Sequence, residues 1–264
     1  MPILLTNGDF DIFTVSETWF NSSVHNNEIN ISCYRVVRLD RALRSGAGVC
    51  AYVRSSLKVN ILRDITLTSD DGFQQLWFTV QHKKLRSLDI CVAYRPPDVS
   101  LVSFASELTS TYSQAAMLGK DIIILGDLNC NVFADSTEAH VLKDVISMLN
   151  LTNLISSPTR VTDKSATLID VILTSNADLV KSSGVLRTLI SDHYLVHCTL
   201  NLKLPKDKPV TITARSYKNF DVYEFFDDVS KVPWDIVSLF EHIDDQVSCF
   251  NDLFLGVLDQ HAPA

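Results

Sequence analysis

Ile122-Ile123-Ile124-Leu125-Gly126-Asp127-Leu128-Asn129 is an apolar run, mostly β-branched, that ends in glycine and then presents a carboxylate and a carboxamide two positions apart. Side chains alternate along an extended chain, so the spacing predicts Asp127 and Asn129 on one face at the end of a buried strand. Further on, Ser191-Asp192-His193 places a second carboxylate beside an imidazole. Together these residues are the parts of a metal-assisted site acting on phosphate.

Outward from this stretch, apolar β-rich segments recur at Asp11–Val15, Ile31–Val37, Gly48–Val53, Leu76–Val80, Leu88–Tyr94, Asp121–Leu125, Ile169–Leu173 and Tyr194–Leu202. Several are continuous rather than alternating, as expected of strands covered on both faces. Helical spacing runs over Leu101–Met117, with Leu101, Phe104, Ala105, Leu108 and Tyr112 on one side, and over Thr137–Leu149. Strands outnumber helices and the two are mixed, which predicts an α/β fold of paired sheets with helices outside. Leu204-Pro205-Lys206-Asp207-Lys208-Pro209 reads as a connector between residues 1–203 and an acidic, aromatic tail, residues 204–264, with a helix predicted over Glu241–Gln260.

The chain has 264 residues, 46% hydrophobic and 20% charged, enough for one large α/β domain or two small ones, with a sizeable core. No apolar run is long enough to span a membrane, and Met1–Asp9 lacks the basic start and apolar core of a signal peptide, so an intracellular setting, nuclear or cytoplasmic, is expected. Six scattered cysteines form no CxxC pair, which argues against a zinc ribbon or a thioredoxin-type motif. The net charge of −8 is concentrated in residues 216–264, where two lysines face ten carboxylates; residues 1–215 are neutral, with 21 basic and 21 acidic groups. Total charge therefore does not exclude DNA, because the local field decides.

Each remaining polar group of interest stands at a strand end. Glu17 follows Asp11–Val15 within Ser16-Glu17-Thr18-Trp19 and is either a hard oxygen ligand for Mg²⁺ or a solvated loop carboxylate. Tyr94 opens Tyr94-Arg95-Pro96-Pro97; its phenol either bonds a phosphate oxygen, with Arg95 adding charge, or caps the core. Asp170 interrupts an apolar strand and needs a partner, for which His193 is the natural candidate: a carboxylate on the imidazole N–H sets its tautomer and raises its basicity. Arg35, Arg38, Arg41 and Arg44 repeat every third position, either along a phosphate backbone or as a solvated loop. There is no Walker A loop, G-x-G-x-x-G, G-x-S-x-G or H-E-x-x-H.

In this order, Ser16-Glu17-Thr18-Trp19, Tyr94-Arg95-Pro96-Pro97, Gly126-Asp127-Leu128-Asn129, Leu168-Ile169-Asp170 and Ser191-Asp192-His193 resemble the endonuclease/exonuclease/phosphatase superfamily. Within it they look like the apurinic-type endonuclease of jockey-like non-LTR retrotransposons. Ser216–Phe220 and Asp259–Pro263 are similar to the linker that leads to the reverse transcriptase. The resemblance implies a four-layered, deoxyribonuclease-I-like α/β sandwich of two packed mixed sheets. It implies Glu17 as ligand to Mg²⁺ or Mn²⁺ with Asp192 assisting, Asp127 and Asn129 orienting water and phosphate, and Tyr94 contacting the phosphate. His193, held by Asp170, would be the base or transition-state stabiliser, and Arg38, Arg41 and Arg95 would touch DNA. The substrate implied is double-stranded DNA, nicked to leave a 3′-hydroxyl, and the partner is the reverse transcriptase domain of the parent polyprotein. Relatives begin with an Asn-bearing strand; here Met1 falls within the following helix, so the resemblance implies a chain short of its first strand and its polymerase. An inactive remnant or interaction module on the same scaffold is the competing expectation.

Overall fold

The computed structural model describes residues 10–41, 46–188, 191–203 and 214–263. Arg44, the expected helix at Met1 and the connector Leu204–Pro209 lie outside the described residues. The chain divides into two compact units, Met1–Pro205 and Lys206–Ala264.

In the first unit the large sheet runs β4 (Lys58–Ile61), β6 (Gln74–His82), β7 (Leu85–Tyr94), β8 (Asp121–Asp127), β12 (Asp170–Thr174), β9 (Thr152–Asn153), with β5 (Leu67–Thr68) also on β6. Only β7 and β8 are parallel. Parallel neighbours need a crossover, and α1 (Leu101–Ala116) supplies it, started by the Ser100 side chain accepting from the Ser103 amide. With α2 (Thr137–Met148) it buries Phe104, Leu108, Ala139, Leu142 and Val145. This sheet is covered on both faces, which is why β7 and β8 read as continuous apolar runs.

A smaller sheet, β1 (Ile12–Ser16), β3 (Val49–Arg54) and β2 (Tyr34–Leu39), packs on the inner face of the large one. The central strand β3 shows the alternation directly: Val49, Ala51 and Val53 enter the main core, while Cys50 and Tyr52 enter a second core with Ile31. Phe10, Phe13, Phe20 and Tyr34 complete that second core, so among the described residues the outer layer here includes a run of turns before β2. A separate hairpin of β13 (Val180–Leu186) and β14 (Leu195–Leu200) belongs to the same layer as the small sheet, and β10 (Arg160–Thr162) pairs with β11 (Ser165–Thr167). Two packed sheets with flanking layers are the α/β sandwich anticipated from the sequence, although only the large sheet is mixed: the small one, expected to be mixed as well, is antiparallel throughout among the described residues. No helix among the described residues is long and apolar enough to cross a membrane.

In the second unit, α3 (Val222–Lys231) is capped by Asp221, whose carboxylate accepts from the Tyr223 and Glu224 amides. It packs on α4 (Ile243–His261) through Phe225 and Phe254, and His261 meets Asp228 at 3.0 Å. The predicted helix over Glu241–Gln260 is therefore present, starting two residues later.

Candidate active site

Strand register assembles the centre. Tyr94 at the end of β7 stands opposite Asp127 at the end of β8, and Asp127 stands opposite Asp170 at the start of β12. Directly opposed residues project to the same face of a sheet, so one phenol and two carboxylates line up across three adjacent strands. Gly126 permits the alignment: its φ is +143°, and a β-carbon there would lie 1.9 Å from the Ala93 carbonyl oxygen. No other residue fits that approach without displacing β7.

The chain leaves the strand at once. Asn129 has a φ of +49°, so it shares the cavity with Asp127 through a turn and not through strand alternation. Its amide N–H donates to Asp127 Oδ1 at 2.9 Å, and its side-chain Nδ2 donates to the Arg95 carbonyl at 2.9 Å. The Arg95 amide in turn donates to the Asp127 carbonyl at 3.0 Å.

From the other layer, Glu17 follows β1 with a φ of +53° and Trp19 has one of +57°, while the Thr18 and Trp19 amides donate to the carbonyls of Gly48 and Ala47. Positive φ at non-glycine residues is uncommon and concentrates at functional turns. The Tyr94 hydroxyl donates to Glu17 Oε1. Burial, reinforced by that bond and by the Glu17 charge, holds the Tyr94 phenol well above its ordinary value, so it is a hydrogen-bond donor at any working pH.

His193 Nδ1 lies 3.0 Å from Asp170 Oδ2 and 3.2 Å from Oδ1. Its pKa is raised, first by this bond to Asp170. Asp170 is itself set by Thr159, a fully buried residue whose hydroxyl accepts from the amides of Ile169 at 3.2 Å and Asp170 at 3.1 Å. Thr159 was not singled out in the sequence; Pro158-Thr159-Arg160 carries no motif that would have marked it.

Asp127, Asp170 and His193 bring one ligand atom each within 4.8 Å of one another. Asp127 is only 7% exposed, and its carboxyl is pushed up to about 7, first by burial and then by the Asp170 charge. Asp127 and Asp170 bring two carboxyl groups together beside one imidazole, and hard oxygen donors suit Mg²⁺ or Mn²⁺. The residues present therefore fit a divalent ion.

The expected ligands stand differently from this cluster. Glu17 lies outside it, although its charge adds to the rise at Asp127. Asp192 lines the same cavity but is held by Arg160 Nε at 2.7 Å, a pairing that lowers its pKa.

One of the arginines expected at DNA requires correction. Arg95 is 2% exposed, with its guanidinium bonded to the carbonyls of Leu128 and Val99 and stacked 5.7 Å above Phe104. It braces the loop under Asn129 and is inaccessible to a duplex. Arg38 is engaged by Asp40 at 2.6 Å and by the carbonyls of Val24 and Asn21. Arg41 packs against Gly72, and its charge opposes the rise at the Tyr94 phenol.

The fold has solved counterparts that are distant in sequence. The endonuclease domain of TRAS1, a telomere-specific non-LTR retrotransposon, is 17% identical with a TM-score of 0.62, covering 76% of this chain and 90% of its own. The AP endonuclease LMAP from Leishmania major is 13% identical with a TM-score of 0.63, covering 77% and 81%. The 3′ phosphatase NExo from Neisseria, solved bound to product DNA hairpin, is 16% identical with a TM-score of 0.55, covering 75% and 92%. No curated protein matches the chain significantly in sequence. The model of the Endonuclease/Exonuclease/phosphatase family matches residues 3–193, the whole length over which the strand-end polar groups are distributed, and the chain belongs to that family.

Proposed function

We propose that this chain is a metal-dependent DNA endonuclease of a non-LTR retrotransposon. It would hydrolyse one phosphodiester of double-stranded DNA, leaving a 3′-hydroxyl that primes an adjoining reverse transcriptase. The observation that carries this reading is the row Tyr94, Asp127 and Asp170, closed by His193. Asp127, with Glu17 as a further oxygen donor, would hold Mg²⁺ or Mn²⁺; when bound, such an ion stabilises charge on the phosphate oxygens. Asp170 orients His193 through Nδ1 and leaves Nε2 for the attacking water or the phosphate. Tyr94, kept protonated, would turn its single O–H from Glu17 to a phosphate oxygen, and Asn129, fixed through its Nδ2, keeps its side-chain oxygen for the water. Arg41 would be a cation for the DNA backbone.

The test is nicking of supercoiled plasmid with Mg²⁺ or Mn²⁺, followed by polymerase extension to detect the 3′-hydroxyl. Wild type is expected to nick, and Asp127→Ala and His193→Ala to lose at least about a hundredfold. Equal nicking by all three would assign the activity to a contaminant. A second reading, a folded but inactive remnant, is favoured by one observation: a cavity of about 1200 Å³ runs beside Glu17, β1 and β14 into the site. Folded wild type with no nicking in either metal would select it.

A further inference from the structure

The candidate site is crowded with negative charge. Glu17, Asp127, Asp170 and Asp192 all line one cavity, and a DNA phosphate would bring more of the same sign. Among the described residues, the arginines and lysines that line it are Arg86, Arg160 and Lys203. Arg86 lies near the start of β7 and Tyr94 at its end, roughly 26 Å apart at the rise of a strand, and Lys203 bridges to Leu85 at that same far end. Arg160 is the one that stands among the acidic groups. Its place is fixed by the backbone. It opens β10 and stands opposite His193 in an antiparallel bridge. On either side of that pair, the Tyr194 amide donates to the Thr159 carbonyl at 2.6 Å and the Val161 amide to the Asp192 carbonyl at 3.3 Å. The pair itself exchanges no bond, and in such pairs the α-carbons approach to about 4.5 Å. Arg160 therefore starts beside the imidazole that Asp170 orients. Its Nε donates to Asp192 Oδ2 at 2.7 Å, and among the described residues its two Nη groups donate to no protein acceptor. Both side chains of this pair are nearly half exposed, so the pair adds little stability. What it adds is direction: Nε held on one edge fixes the plane of the guanidinium and leaves the two Nη groups for an anion.

We propose that Arg160 binds the phosphate next to the one under attack on the same DNA strand, and that Asp192 is a positioning residue for Arg160 and not a ligand of the metal. The choice of phosphate rests on the nuclease reading. There the metal, Tyr94 and His193 serve the phosphate under attack, and the adjoining one is left for a cation beside His193. Two Nη groups match two non-bridging oxygens of one phosphate. A contact to a phosphate that does not react is made equally in the ground and transition states, so it lowers KM and leaves kcat unchanged.

The experiment is nicking of a duplex of about 20 base pairs by the full chain in Mg²⁺, with kcat and KM measured separately. Arg160→Gln is expected to raise KM at least about tenfold with kcat within about threefold of wild type. Arg160→Lys, which keeps the charge and loses the fork, should fall between the two. Asp192→Asn should raise KM less than Arg160→Gln, and should add nothing to it in the double variant. An uncharged methylphosphonate at one of the two phosphates flanking the nick should weaken wild type and leave Arg160→Gln unaffected. Unchanged KM in Arg160→Gln, a loss carried by kcat, or equal methylphosphonate effects in both proteins overturns the proposal. So does a further loss from Asp192→Asn in the Arg160→Gln background, or a raised Mg²⁺ requirement in Asp192→Asn alone. If wild type does not nick, the nuclease reading falls separately, and duplex binding in Mg²⁺ decides this one. Arg160→Gln should then flatten the slope of log K against log salt by about 0.9, and equal slopes, or no binding by wild type, overturn it.

Discussion

The large sheet and the layer above it differ in how completely they are built. In the large sheet β7 and β8 each have a strand on both sides, and Ile90, Ile122 and Ile124 are almost wholly buried. In the upper layer β1 and β14 each have one neighbour among the described residues, and all five residues of β1 remain half-buried. The site straddles the two. Tyr94, Asp127 and Asp170 come from the finished sheet, while Glu17 and His193 come from the open layer. The difference teaches that the candidate site divides between a row set by strand register and two groups placed by a layer whose outer edges lack partners among the described residues.

The largest break in this comparison is Gly126→Ala. A methyl group 1.9 Å from the Ala93 oxygen forces β7 and β8 apart. A loss of more than about 3 kcal/mol, or insoluble protein, is expected from urea denaturation. Next, Ile124→Ala in the finished sheet should cost about 2–5 kcal/mol, and Ile12→Ala in the open layer clearly less. Equal costs would mean that the edges of β1 are as well supported as those of β8.

Asp127 sharpens the contrast in the opposite sense. Its folded pKa, about 7, exceeds the unfolded carboxylate value, so the folded state binds the extra proton. In EDTA this group makes stability fall as pH rises from about 4 to about 7, and Asp127→Asn should stabilise the protein at pH 8 while abolishing nicking. His193 adds a fall in the same direction: its folded pKa is raised, so its contribution is present below about 6.5 and is lost as pH passes the folded value. Thermal melts from pH 4 to 8 in EDTA check both, and a flat profile would contradict the buried carboxylate pair. The smallest effect belongs to Asp192→Asn. The exposed pair with Arg160 should be worth no more than about 1 kcal/mol.

Much of this was legible in the chain. All eight apolar segments became strands, because continuous burial and β-branched residues mark strands in a two-sided sheet. The short edge strands β4, β5 and β9 and the polar hairpin partner β13 left no such pattern, since Val180-Lys181-Ser182-Ser183-Gly184 packs too little apolar surface to reveal a period. Asp127, Asp170, His193 and Tyr94, which the structure brings together, stood out in the sequence because each polar group ends or interrupts an apolar run. Arg95 misled because sequence position beside Tyr94 says nothing of side-chain direction, and its guanidinium turns inward to satisfy carbonyls beneath the turn. Thr159 stayed hidden because a hydroxyl bonded to two backbone amides needs no neighbouring motif.

The alignment of Tyr94, Asp127 and Asp170 has a use beyond chemistry. A slip of one residue between β7 and β8 or between β8 and β12 would send neighbouring members of the row to opposite faces while leaving sheet content nearly unchanged. Circular dichroism would not see the error, but the constellation would be gone. If the chain nicks DNA, specific activity during refolding counts the molecules whose strands have locked in step, and the lag between recovered ellipticity and recovered nicking times the correction of misregistered sheets.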